Sequence, residues 1–214
     1  MYADRKARLL AVLQSEIDSK RLPGAVVMLS RHGKVELFES LGQQNPEDAS
    51  PMARDSIFRI YSMTKPIVSV ATMMSMEQGK LLLSDPVSKY LPEYAKQQVA
   101  VEEGGQVSYV PAKPATVQDL LRHTSGIGYP EITANPNIKK AYTDAGLYVA
   151  GGTDYDQRRV TPQEMIAGIA KAPLNTQPGS NWEYGMSVDL LGRVVEVVSG
   201  KRLGDFLQER LFAP

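Results

Sequence analysis

Ser62-Met63-Thr64-Lys65 sets a hydroxyl three residues before an amine. At helical spacing the two side chains share a face. A neighbouring base that takes the serine proton turns the hydroxyl into a nucleophile able to hold an acyl group as an ester. A lysine ammonium titrates at about pH 10.4, so Lys65 needs a depressed pKa to act as that base, and burial beside the apolar segment that follows is the expected cause. The pattern by itself turns up by chance about once in a chain of this length. Pro66 adds position: its ring would collide with the carbonyl four residues back, at Ser62, so a helix is predicted to begin at about Ser62. There the serine meets N–H groups with no intrahelical acceptor and the positive end of the helix dipole, which favour a developing oxyanion. The same residues also admit a structural reading, with Ser62 an N-cap and Lys65 a surface residue with a buried stem.

Competing nucleophiles have less behind them. Gly185-Met186-Ser187-Val188-Asp189 misses the Gly-x-Ser-x-Gly elbow because Asp189 stands where the second glycine belongs. His123 is the one candidate base for a conventional triad, but its place after Leu120-Leu121-Arg122 predicts a helix end holding the next turn. Ser187 reads as the N-cap of a helix, Ser125 as a loop residue before Gly126, and His32 as a solvated turn residue. The chain has no cysteine and two histidines, so a metal site would be built almost wholly from carboxylates. No cofactor is expected.

The elements around these residues follow from periodicity. Leu9, Leu10, Val12, Leu13 and Ile17 predict an amphipathic helix over residues 4–20, stopped by Pro23-Gly24. Ala25–Leu29 and Val35–Phe38 predict two strands joined by a turn at Arg31-His32-Gly33-Lys34. Apolar residues from Pro66 to Met76 cover nearly every face of the second helix, predicting one buried all round and stopped at Gly79. Thr116 with Asp119, and Thr161-Pro162 with Glu164, mark further helix starts. Ser187 opens a helix striped by Val188, Leu191, Val194, Val195 and Val198, with Gly200 beyond its end. Residues 142–155, with Tyr142, Tyr148, Tyr155, Gly146, Gly151 and Gly152, show no period and read as a loop that could line a pocket. Strands are predicted early in the chain and helices through its middle.

The 214 residues, 43% hydrophobic and 22% charged, suit a globular protein with a substantial core. Lys plus Arg and Asp plus Glu are 24 each, with no basic block, which argues against nucleic acid or an anionic membrane as partner. No signal peptide or spanning segment is read, so a protein starting at Met1 is expected in the cytoplasm.

Phe58-Arg59-Ile60-Tyr61-Ser62-Met63-Thr64-Lys65-Pro66 resembles the nucleophile segment of serine β-lactamase-like enzymes, above all class C β-lactamases and family VIII carboxylesterases. In the same order, Pro23-Gly24-Ala25 looks like their first strand entry, and Leu83-Ser84-Asp85-Pro86-Val87 with Tyr90-Leu91-Pro92 like their post-helix loop. Leu120-Leu121-Arg122-His123-Thr124-Ser125-Gly126 matches their Leu-Leu-x-His-Thr-Ser-Gly segment. Pro178-Gly179 with Trp182-Glu183-Tyr184 matches the segment bearing their tyrosine. The resemblance implies an α+β fold, an α/β sandwich with an antiparallel sheet plus a helical lobe, of the serine β-lactamase and penicillin-binding-protein kind. Residues 1–60 would supply the first helix and early strands, 61–187 the mostly helical lobe with the catalytic groups, and 188–214 helices returning to the α/β lobe.

It also implies Ser62 as the acylated nucleophile, Lys65 as its partner and Tyr184 as the proton carrier. A phenol is a poor base unaided, but a cationic Lys65 favours the phenolate, so the pair can share one proton. Where the β-lactamases carry an amide-binding asparagine two positions past the tyrosine, this chain has Met186, which accepts weakly and cannot donate. A small-molecule ester substrate is therefore expected. An amide hydrolase, such as a β-lactamase or D-aminopeptidase, and a non-catalytic penicillin-binding-like module are the alternatives. Ser187 could in part replace the missing asparagine. The family continues beyond the point matching Pro214 into further strands and a third motif. The remaining C-terminal segment of the same catalytic unit is thus the expected partner.

Overall fold

The structure, a computed structural model, describes residues 2–149 and 160–214. It is a mixture of helices and antiparallel strands and falls into two units, Met1–Ile60 and Tyr61–Pro214.

In the first unit, helix α1 (Ala3–Asp18) precedes strands β1 (Gly24–Arg31), β2 (Lys34–Asn45) and β3 (Ser50–Pro51), paired antiparallel in the order β1-β2-β3. The β1–β2 register runs from Gly24 opposite Gly42 to Arg31 opposite Lys34, with an irregularity at Leu29 and Ser30. Two residues close the hairpin, His32 and Gly33, both left-handed with φ of 50° and 73°. That twist suits a tight hairpin, and His32 is exposed there, as expected.

The second unit opens with a 3-10 turn, Tyr61–Met63, running directly into helix α2 (Thr64–Glu77). The α-helix thus begins two residues later than expected, and Ser62 lies in the turn rather than at the cap, where Met63 stands. Nor is α2 buried all round. Its hidden face is Val68, Ala71, Thr72 and Ser75, while Val70 is 45% exposed. Thr72 and Ser75 fit that face because their hydroxyls return to the Val68 and Ala71 carbonyls, each at 3.0 Å.

A second hairpin, β4 (Gln98–Glu103) and β5 (Gln106–Pro111), lies outside the expected strands. Its signal is a Gly104-Gly105 turn between runs of alternating apolar residues. Every residue of β5 is exposed, so the strand has no apolar face to announce it.

Helices α3 (Val117–Arg122) and α5 (Pro162–Ile169) carry the capping boxes the sequence predicts, at Thr116 with Asp119 and Thr161 with Glu164. Between them, α4 (Pro136–Asp144) takes in Tyr142, expected in a loop. Tyr142 is 1% exposed and its hydroxyl donates to the Gly128 carbonyl. Tyr148 packs against the core, while Gly151, Gly152 and Tyr155 lie outside the described residues. Helix α6 (Ser187–Ser199) buries Val188, Leu190, Leu191, Val194 and Val195 and packs on α2, α3 and α5. It stops at the left-handed Gly200 and is followed by α7 (Leu203–Leu207). Among the described residues no helix is long and apolar enough to cross a membrane.

Candidate active site

The chain reaches Ser62 through Tyr61, whose φ of 44° is left-handed. A bulky residue held there costs on the order of 1–3 kcal/mol, a strain found where a side chain must be aimed. Ser62 is exposed at the mouth of a cavity of about 500 Å3, with the first turn of α2 behind it. Lys65, one turn on, puts Nζ 3.1 Å from Ser62 Oγ.

Tyr184 comes from the loop before α6, and its hydroxyl donates to Ser62 Oγ at 2.6 Å. This loop lies hard against residues 123–128. A Cβ on Gly185 would stand 1.8 Å from the Ile127 carbonyl oxygen, so only glycine allows the approach. The Glu183 N–H donates to the His123 carbonyl at 2.8 Å, and the Glu183 carboxylate is tied to Asn175, which also bonds Thr133. Tyr184, 122 residues beyond Ser62 in the chain, thus meets Ser62 and Lys65 at one point.

The fourth polar group at that point is Tyr129, which the sequence reading missed. Lys65 Nζ donates to its hydroxyl at 3.2 Å, and its ring lies 5.5 Å from that of Tyr184. Its one sequence signal is its place three residues after Gly126 in the Thr124-Ser125-Gly126 turn, too little to single out one of ten tyrosines.

Electrostatics bears on which member of the pair carries the charge. Burial pulls the Lys65 pKa down, but the Tyr184 and Tyr129 hydroxyls outweigh it and hold the ammonium above its ordinary value. That direction favours the charged form of Lys65. Tyr184 moves the other way: the Lys65 ammonium, 4.7 Å from its ring centroid, and then the Ser62 hydroxyl draw its pKa below that of a free phenol. Burial pushes Tyr129 up, so it stays a phenol. Two tyrosines beside one amine are thereby shifted in opposite directions, Tyr184 down and Tyr129 up.

Met186 is 1% exposed and lines the cavity with Val68, Met165, Ile166, Val188 and Leu203. Asp189 opens into it although protein encloses its other sides, and those surroundings raise its pKa against the pull of Lys65. The walls suit an apolar group.

Ser187 is not the N-cap expected of it. It is the first residue of α6, fully buried, and its hydroxyl pairs with that of Ser125 at 2.8 Å. Met186 takes the cap position because the loop is pinned at Gly185 before the helix starts. A buried hydroxyl needs a partner, and each serine supplies the other's. His123 ends α3 in a left-handed conformation, as expected, and its Nδ1 accepts the Gly185 N–H at 3.4 Å. It meets neither serine as a base would.

Comparison with known proteins gives the same outline. Residues 9–214 match the Beta-lactamase family. The chain is 34% identical over 201 residues to Esterase EstB of Burkholderia gladioli, covering 94% of this chain and 47% of that protein. Against the lovastatin esterase of Penicillium rubens the identity is 30%, over 94% of this chain and 49% of the other. Among solved structures, EstCE1, described as a hydrolase with promiscuous acyltransferase activity, superposes with a TM-score of 0.82 at 31% identity, covering 98% of this chain and 51% of that one. The chain spans about half the length of the curated relatives it matches.

Proposed function

The chain belongs to the beta-lactamase family, and from that premise and the site's geometry we propose that it carries the nucleophile of a serine esterase, with Ser62 acylated, Lys65 cationic and Tyr184 the proton carrier. The observation that carries this reading is the 2.6 Å contact between Tyr184 and Ser62 Oγ beside an ammonium 3.1 Å from the same oxygen.

Ser62 Oγ attacks the ester carbonyl carbon as its proton passes to the Tyr184 phenolate. The tetrahedral oxyanion collapses, the carbon–oxygen bond to the alcohol breaks, and Tyr184 returns the proton to the departing alkoxide. Water or a second alcohol then attacks acyl-Ser62, again yielding its proton to Tyr184, which hands it to Ser62 as the serine leaves. Lys65 stays charged throughout and stabilises the phenolate, and Tyr129 holds the ammonium in place. Met186, where an amide-recognising side chain would need a donor, favours esters. The relatives' names point the same way: two are esterases, and a third, from Penicillium decumbens, is an acyltransferase 32% identical over 71% of this chain. We further propose that a segment following these residues completes the site, adding a wall and an oxyanion donor.

The test is hydrolysis of a short-chain aryl ester by the intact protein and by Ser62→Ala, with mass analysis of the acyl adduct. The expected result is a loss of at least about 10³-fold and an adduct confined to Ser62. Equal rates would sink the serine reading, faster turnover of a chromogenic cephalosporin would move it to amides, and no adduct with any acylating probe would leave a binding module.

A further inference from the structure

We propose that His123 is a positioning residue for Tyr184: its imidazole accepts the Gly185 N–H and packs on the Tyr184 ring, holding the phenol on Ser62. The inference rests on the reading of Tyr184 as proton carrier.

Four contacts meet at this one residue. His123 has a φ of 55°, a conformation that turns the chain at the end of α3 and brings both its carbonyl and its ring onto the Tyr184 loop. The carbonyl accepts the Glu183 N–H at 2.8 Å and Nδ1 accepts the Gly185 N–H at 3.4 Å, so the residues on both sides of Tyr184 are held by the same histidine. Between these bonds, the imidazole lies 5.0 Å from the Tyr184 ring, centroid to centroid, and 6.3 Å from that of Trp182. An N–H donor facing Nδ1 requires that nitrogen to be bare, which puts the neutral ring's proton on Nε2. Protonation would set two donors against each other and release the loop.

Burial and a neighbouring cation disfavour the charged ring. Burial and then the Lys65 ammonium on α2 draw its pKa below the ordinary histidine value. Tyr184 is the titratable group in ring contact. The nearby carboxylates are turned away: Glu183 bonds Asn175, and Asp119 on α3 bonds Thr116 and Thr124. The ring should become charged only in acid, and the site should then lose its proton carrier's position.

This gives a pH signature that simple packing would not. The rate kcat/KM should fall with one proton below the Tyr184 pKa, and with two once His123 also protonates. His123→Asn keeps an acceptor, tolerates a left-handed backbone and does not titrate. His123→Phe keeps a ring and loses the acceptor.

The experiment measures kcat and KM of the intact protein, both variants and Ser62→Ala on a short-chain aryl ester from pH 4.5 to 9. The expected result is His123→Asn within about threefold of wild type at pH 8 with a one-proton fall throughout, and His123→Phe losing about 10- to 100-fold in kcat with KM little changed. Should His123→Phe fail to fold, the acid slope of His123→Asn decides alone. A His123→Phe enzyme with wild-type kcat, or a His123→Asn enzyme that keeps the two-proton fall, overturns the inference. Activity in Ser62→Ala would instead overturn the reading it rests on.

Discussion

At the residue scale the site turns on which group is charged. Spacing suggested that Lys65 would be the base; its neighbours raise its pKa and lower that of Tyr184, the reverse of that order and the basis of the mechanism proposed above. A base whose folded pKa is depressed gains activity as pH rises through that lowered value. Removing the ammonium should therefore move the rise to higher pH: Lys65→Met is expected to lose about 10²- to 10⁴-fold in kcat/KM at pH 7 and to recover part of it in alkali. A pH–rate profile checks this, and an unmoved limb would show that Lys65 does not tune the phenol. The buried hydroxyl pair offers a stability counterpart. Ser187→Ala leaves Ser125 with only the Ile127 N–H, at 3.3 Å, and should cost about 1–3 kcal/mol in denaturant unfolding, whereas replacing both serines by alanine should cost less than the sum of the two single changes.

At the element scale, what matters is how short segments are pinned. Gly185 lets the Tyr184 loop lie on Ile127, so Gly185→Ala must push the loop away. It should lower ester turnover by about 10²-fold or more and weaken acylation of Ser62, with the loss read by stopped-flow acylation. Farther off, Asp85 anchors the loop after α2, accepting from the Leu82 N–H at 2.8 Å, from Lys89 at 2.9 Å and from the Tyr90 hydroxyl. These donors, the Tyr90 hydroxyl first, hold its pKa at about 2. Because the folded pKa is depressed, the stability is complete above the unfolded value near pH ~4 and is lost as pH falls toward 2. Asp85→Asn should flatten that part of the melting-temperature profile; an unchanged slope between pH 4 and 2 would assign it to other carboxylates.

At the scale of the whole molecule, the chain's share of its relatives' length sets the expectation. Oxyanion stabilisation is commonly a large contribution to acyl transfer, and one donor is worth about 10²- to 10³-fold. The 214-residue chain alone should therefore hydrolyse an aryl ester at least about 10²-fold more slowly than a protein extended to the relatives' length, measured side by side. Equal rates would remove the need for a further segment. The same split runs through what could be read in advance. Helix starts at Thr116 and Thr161 and the His32-Gly33 turn were legible because capping and hairpin chemistry act over two to four residues. The β4–β5 hairpin was not, since β5 faces solvent and carries no buried stripe. Tyr142 was misjudged because its burial comes from packing across the unit, not from a local period. By itself the sequence determined the Ser62–Lys65 spacing and a helix near Pro66 and, through the matching segments, singled out Tyr184. Only the tertiary structure brought Tyr184 onto Ser62 and Tyr129 onto Lys65, paired Ser125 with Ser187 and set His123 against the Gly185 N–H. Protonation and partnership depend on distances between residues far apart in the chain, and folding alone sets those distances.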